Sequence, residues 1–530
     1  MRGRKKVWLA GAGLALGIAG AVFIADNILS RRVEPYIRQQ AVEYLRQRFD
    51  SEVELSTFRV RLPKTTLLRV ILARGRRGIA LVEGENLVLR HKGRHDIPPL
   101  FRMRHFSFEV DLDKLLARQK SVPLVEIDGL ELTIPAKRDH PRVLPEARRQ
   151  VTSDQGPPVQ IDSVLITHGL LVILPKDSKK VPLRFDIHRV QLNAASDGTG
   201  MTYSAALTNP RPPGEIMSQG TFGPWVGDEP GDSPLAGAYT FDKADLGVFA
   251  GIAGILRSTG AFQGTLNSIT VRGEASVPDF RLTMAGQVVP LFTRFEALVD
   301  GTNGNTVLKP LQATLGASSF TTSGSVIKHD GDITRSIALD VHMPRGKVGD
   351  LLRLATKGPP FMDGDILLET KIDIPPLTGK VRDKLILEGR FEITGGRFLR
   401  STIQDQIDTL SRRGQGQPKN EQIDEVVSYM EGELHFASAV VTFRSLSFGV
   451  PGASVQLSGN YGLDSDTIDF HGNLRLQAKV SRTMSGWKRL ALRPIDPLFS
   501  KRGAGTLLPI RVTGGADHPK FGLDRSPKQH

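Results

Sequence analysis

From residue 52 to about residue 520 the sequence is dominated by period-two alternation of apolar and polar side chains, the signature of strands buried on one face. Val125, Ile127, Leu130, Leu132 and Ile134 alternate with polar neighbours around Gly129, and Val164, Ile166, Leu171 and Ile173 repeat the plan around Gly169. Later runs are Ile366, Leu368, Ile372 and Ile374; Leu385, Leu387, Phe391 and Ile393; Val455, Leu457 and Tyr461; and Ile468, Phe470, Leu474 and Leu476. Most of these runs have one apolar and one polar face, as in an antiparallel sheet wet on one side. Gly389, Gly395, Gly459 and Gly472 fall within or between the runs, where glycine marks bulges, bends and hairpin turns. The 54 glycines and 33 prolines among 530 residues, with 6% aromatics, fit many short strands joined by tight turns.

Repetition over hundreds of residues favours a stacked, solenoid-like sheet over separate compact domains. About 25 strands at about 4.8 Å spacing would make a sheet on the order of 120 Å long. Its apolar face must be covered by curling, by packed helices, or by something apolar held in a trough. The expected fold is mainly β: an elongated, curled antiparallel sheet with a few short capping helices. Residues 136–160 and 209–234, rich in Pro, Gly and charge, are expected to be loops or hinges. Residues 244–257 and 345–356 read as short helices on the sheet, and a further helical region covers 401–413 and 420–430, split from Gly414 to Pro418.

The N-terminus has a different character. Val7 to Ala25 carries no charge, long enough at about 1.5 Å per residue to cross a bilayer core. Arg2, Arg4, Lys5 and Lys6 outnumber Arg31 and Arg32, which places the N-terminus in the cytoplasm and the remainder outside it. The competing reading is a cleaved signal peptide with Ala19-Gly20-Ala21 as its cleavage site, against which apolar residues resume after Ala21. Val33, Ile37, Ala41, Tyr44, Leu45 and Phe49 then lie at helical spacing, predicting an amphipathic helix that caps the sheet or rests at the membrane surface. The expected organisation is an anchor over 1–29, an amphipathic helix over 30–50, and β-regions over 51–240 and 241–530.

Net charge is +14, distributed as +12 in residues 1–150, −6 in 151–478 and +8 in 479–530. Positive charge split between two ends argues against a nucleic-acid module, which concentrates it on one face, and fits contact with two anionic surfaces. No cysteine is present, which removes disulfides, thiol catalysis and Cys-based zinc sites. No GxSxG, HExxH, Walker A or GxGxxG motif occurs. His91, His95 and His105 lie among basic residues with a strand-like run before them, so the i, i+4 pair does not make a metal face. Asp464, Asp466 and Asp469 follow Tyr461 and Gly462 and read as a polar hairpin turn rather than a calcium loop. Neither enzymatic activity nor a metal or cofactor is expected.

The segments 345–357 (RGKVGDLLRLATK), 385–411, 446–463, 468–497 and 505–524 (GTLLPIRVTGGADHPKFGLD) resemble the AsmA-like family of bacterial envelope proteins, relatives of TamB. Residues 50–240 match only as a style of strands. The resemblance implies an inner-membrane-anchored, periplasmic, elongated β-protein whose hydrophobic groove carries phospholipid toward the outer membrane. On that reading Leu385, Leu387, Phe391, Ile393, Leu446, Phe448, Val450, Val455, Leu457, Ile468, Phe470, Leu474 and Leu476 include groove-lining positions; the alternative is that they pack a closed core. In residues 479–503, Trp487, Lys488 and Arg489 lie in a basic stretch that either touches an anionic bilayer or envelope partner or serves as a solvated connector before the last strand, Leu508 to Val512. The expected partners are phospholipid, the inner membrane, and the outer membrane or an envelope protein. The alternative function is a scaffold for outer-membrane proteins acting through sheet edges.

Overall fold

The computed structural model describes residues 34–47, 49–61, 79–111, 120–135, 159–175, 181–193, 200–226, 229–284, 286–329, 331–420, 422, 424–483, 505–515 and 518–524. Its contacts divide the chain into two compact units, one holding 1–242, 261–269 and 300–303 and the other the remainder. The protein is mainly β, and 23 of the described strands belong to one sheet that does not close.

In the first unit the strands are β1 (Ser51–Arg61), β2 (Ile79–His91), β3 (Phe101–Asp111), β4 (Lys120–Ile134), β5 (Val159–Ile173), β6 (Leu183–Asn193), β7 (Met201–Pro210), β8 (Pro213–Phe222) and β9 (Pro234–Asp245). Each pairs with the next in sequence. All these pairs are antiparallel except β4 with β5, which is parallel, so the sheet is mixed where the sequence predicts antiparallel pairing alone. A parallel neighbour needs a long crossover, and the Pro-rich stretch after β4 supplies that length. One apolar row runs Val60–Val82–Phe108–Val125–Val164–Leu192 across β1 to β6. The helix over residues 34–47 packs on this face, burying Ile37 and bringing Ala41 and Leu45 against Val82, Leu89 and Ile127 of the same core. The amphipathic helix thus serves as a cap on the sheet.

The remaining strands are β10 (Ile252–Ala253), β11 (Ile255–Thr265), β12 (Ser268–Val277), β13 (Arg281–Leu282), β14 (Leu291–Val299), β15 (Thr306–Leu315), β16 (Ser318–Ile327), β17 (Ser336–Lys347), β18 (Met362–Ile374), β19 (Ile386–Phe398), β20 (Ser428–Ala437), β21 (Val440–Val450), β22 (Ala453–Gly462), β23 (Thr467–Leu476), β24 (Thr506–Gly515) and β25 (His518–Leu523). From β14 to β25 each is antiparallel to its successor. Helices over Val348–Ala355 and Ser401–Gly414 match the expected ones.

Four expectations fail for local reasons. Residues 209–234 are a loop only in their second half, between β8 and β9: Pro210, Pro212 and Pro213 mark a tight turn, and β8 starts at Pro213, a strand position that needs no donor. Residues 244–257 are not a helix, because Gly251 and Gly254 take φ of +94° and +138°, leaving a turn over Leu246–Val248 before β11. Residues 424–426 leave the helical path because the Asp408 carboxylate accepts the Glu425 and Val426 amides, and β20 follows at Ser428. Leu508 to Val512 is not the last strand, since β25 adds Phe521 opposite Val512 and Leu523 opposite Ile510.

Among the described residues no helix is long and apolar enough to cross a membrane. The expected anchor over 1–29 and the positions Trp487, Lys488 and Arg489 lie outside the described residues.

Candidate site: an apolar face crossing β18 to β24

Strand register brings the separate sequence runs of the second unit onto one surface. One row reads Leu368–Phe391–Gly432–Leu446–Leu457–Gly472–Ile510 from β18 to β24. Beside it run Ile366–Ile393–Met430–Phe448–Val455–Leu474–Leu508 and, on the other side, Thr370–Gly389–Leu434–Phe443–Gly459–Phe470–Val512. A fourth row carries Ile372, Leu387, Phe436, Val441, Tyr461 and Ile468, and at the helix-bearing end Val450, Ala453 and Leu476 lie side by side. Twelve of the thirteen expected groove residues therefore share a face. The exception is Leu385, which precedes β19 and donates its amide to Val381 O at 2.9 Å, closing the short turn Val381–Lys384.

The face is covered unevenly. The Val348–Ala355 helix packs Val348, Leu351 and Leu352 against Met343, Met362, Ile366 and Ile393. The Ser401–Gly414 helix places Ile407 and Leu410 over Val450, Ala453 and Leu476. Ile393, Val450 and Leu476 are accordingly buried, and so is Phe470. Leu387, Phe443, Leu457 and Ile468 belong to neither helix-packed cluster and remain half-buried. A filled core thus describes the helix end of the rows, and half-buried side chains around the buried Phe470 make up the remainder.

Aromatic rings cross the face from Phe391, packed against the helix-covered cluster, through half-buried Phe443 to buried Phe470. Phe391, Phe443 and Phe470 sit on β19, β21 and β23, with ring centroids 6.3 and 5.8 Å apart in turn. Between them, β20 and β22 carry Gly432 and Gly459. A Cβ on Gly432 would lie 3.0 Å from the Phe391 ring, and one on Gly459 2.9 Å from that of Phe470, so each ring lies over a glycine. Phe443 is the member that period-two reasoning missed. A bulge between Phe443 and Leu446 reverses the parity, putting an odd-numbered residue in register with even-numbered ones further along β21. Arg444 and Ser445, two polar residues in succession, are the sequence trace of that bulge.

The opposite face is charged. Arg390 pairs with Glu369 at 2.7 Å, Lys347 with Asp365 at 2.5 Å and His342 with Glu369 at 3.3 Å. Such exposed pairs add little stability but fix which side meets water. Elsewhere, hydrogen bonds from His168 and then Arg104 hold the Asp128 carboxyl down at about 2. Those from Arg272 and then Lys309 do the same for Glu296, also about 2. Carboxyls held that low are ionised at neutral pH and cannot act as general acids. Among the described residues no group of His, Asp and Glu side chains could hold a metal ion. Asp464 and Asp466 occupy the β22–β23 turn, bonded to Arg382 and Tyr461, as the hairpin reading expects.

His471, on the charged face of β23, ties down the edge strand through Asp524, with Nδ1 2.9 Å from the carboxylate. The hydrogen bond to Asp524, joined by the charge of Asp469, raises the imidazole above its usual pKa. The folded value exceeds the unfolded one, so this stabilisation is complete below about pH 6.5 and is lost as pH rises through the raised value. Amide exchange across β25, corrected for its intrinsic pH dependence, is expected to be less protected at pH 8 than at pH 6. Asp524→Asn should remove most of that difference; an equal difference in the variant would show that the pair is not its cause.

No protein-family model, curated protein or solved structure matches this chain.

Proposed function

We propose that this protein binds phospholipid acyl chains along the apolar face of β18 to β24 and passes them along it, without covalent chemistry. The supporting observation is the set of continuous apolar rows, half-buried at Leu387, Phe443, Leu457 and Ile468 and backed by a charged face. Seven strands at about 4.8 Å place about 29 Å of apolar surface along a row. An acyl chain occupies half of a hydrocarbon core of about 30 Å, so a row exceeds one chain length. Each methylene sheltered there gains about 0.8 kcal/mol, and neighbouring positions of equal polarity let a chain slide without an energy-consuming step.

The resemblance to the AsmA-like family supports placing this binding in the periplasm. In that placement the Val7–Ala25 segment anchors the protein in the inner membrane, a curled sheet forms the groove, and the basic segment around Trp487, Lys488 and Arg489 contacts the outer membrane or an envelope partner. Photo-crosslinking in cells tests the binding face. A crosslinking residue at Leu457 is expected to capture phospholipid, and one at Gln456, one position along on the charged face, is not. Equal capture at both positions would remove the support for a sided groove.

A second reading, a scaffold acting through a sheet edge, is favoured by β25. This strand pairs only with β24 among the described strands and leaves Phe521 71% and Leu523 51% exposed. An extended partner segment could add there as a further strand.

A further inference from the structure

On the charged side of the sheet, a depression of about 720 Å³ opens over the row Tyr429–Gly449–Ser454–Arg475, which crosses β20 to β23. Two glycines create it. A Cβ on Gly395 or Gly449 would meet nothing within 4 Å, so the floor is bare backbone beneath open space. Of the residues lining the depression, Arg475 is the one that carries charge. Its exposed guanidinium makes no ion pair with a described residue. Tyr429 brings no negative charge either: its hydroxyl donates to Glu431 at 2.6 Å, and that hydrogen bond pushes the phenol up to about 12. Ser454, in register with Arg475, adds a hydroxyl donor beside it, and Thr394 lies at the far rim on β19.

A second depression on this side, about 700 Å³ around Gly389, has a different character. There Glu369 is paired with both Arg390 and His342, and Glu388 with His435, so the charges answer one another and select no ligand sign. No carboxylate lines the depression itself, and Glu431 and Glu392 border it only at the Tyr429 end, three strands from Arg475. A planar guanidinium with five donors, set beside the Ser454 hydroxyl in a pocket of ligand size, matches a tetrahedral oxyanion.

We propose that the Arg475 depression is a binding site for a phosphate group, either as the free ion or as a phosphomonoester such as a lipid whose head group is an unsubstituted terminal phosphate. The site is on the face opposite the apolar rows and does not depend on acyl binding there. Arg475 provides the charge, Ser454, its register partner on β22, provides a neutral donor, and Gly449 leaves the space.

Isothermal titration of the full chain in detergent, with inorganic phosphate and separately with glycerol 3-phosphate, tests the site. Saturable binding of at least one anion is expected, weakened roughly 10- to 100-fold by Arg475→Gln and much less by Arg475→Lys. Arg444→Gln, on the same side but outside the depression, should leave it unchanged. Tighter binding of glycerol 3-phosphate assigns the natural ligand to an ester, and tighter binding of phosphate to the free ion. Binding of neither at millimolar concentration, or wild-type binding by Arg475→Gln with its circular dichroism spectrum intact, would overturn the proposal.

Discussion

Replacing Asp350 with alanine is expected to destabilise the second unit by about 3 kcal/mol, because this carboxylate is the terminal acceptor of a buried relay. Asp350 and Ser318 are 4% and 0% exposed. The Lys347 amide donates to Ser318 Oγ at 2.9 Å, the Ser318 hydroxyl donates to Asp350 at 2.8 Å, and the Ala317 amide donates to the same carboxylate at 2.9 Å. The relay fastens the first turn of the Val348–Ala355 helix to the β15–β16 turn, and so positions the helix that covers Ile366 and Ile393. Alanine leaves the buried Ser318 hydroxyl and the part-buried Ala317 amide without this acceptor and removes the partner of Arg353, which pairs with Asp350 at 3.0 Å. By calorimetry the midpoint of this unit should fall by roughly 5 to 12 °C. Asp350→Asn, which keeps one acceptor oxygen, should lose less. In a cycle with Ser318→Ala, a coupling of about 1 kcal/mol or more is expected, whereas strict additivity would mean that the relay does not act as a unit.

Asp408, midway along the Ser401–Gly414 helix, plays the same part there. Burial opposes its charged form, but the Val426 amide, the Gln404 side chain and the Glu425 amide together hold the carboxyl below its ordinary value. Both capping helices are thus fastened by a buried acid to backbone amides at the ends of strands.

The second large effect concerns the open part of the apolar face. Phe443→Asp is expected to reduce phospholipid occupancy about 10- to 100-fold while leaving the unit folded. Phe443 is half-buried and lies outside both helix-packed clusters, so an aspartate there can reach water when the face is empty. A bound acyl chain would have to desolvate that carboxylate or forfeit contact over several methylenes, at about 0.8 kcal/mol each. Phe443→Leu keeps the surface apolar and should bind nearly as the wild type. Ile393→Asp makes the contrast: Ile393 is 6% exposed beneath a helix, and a charge there should unfold the unit rather than selectively block binding.

The sheet was legible in the sequence because period two survives wherever one face is apolar, and the face itself was legible for twelve of its thirteen expected positions. What alternation cannot show is where the count restarts. The bulge at Arg444–Ser445 moved Phe443 onto the face, and the turn at Val381–Lys384 left Leu385 outside it. Neither shift changes composition. The parallel pairing of β4 with β5 was hidden for another reason, since strand direction depends on the path of the connection and not on the pattern within either strand. Proline density misled at β8, where the turn is proline-rich and the strand behind it alternates normally. Arg475 was not singled out because its isolation among neutral residues is a property of the row formed by four strands.

Native mass spectrometry of the full chain, extracted gently from the cells that express it, tests acyl binding most directly. The proposed function predicts that wild-type protein and Phe443→Leu carry phospholipid and that Phe443→Asp is largely empty. Wild-type protein recovered folded and free of lipid, or Phe443→Asp recovered as full as the wild type, would contradict it.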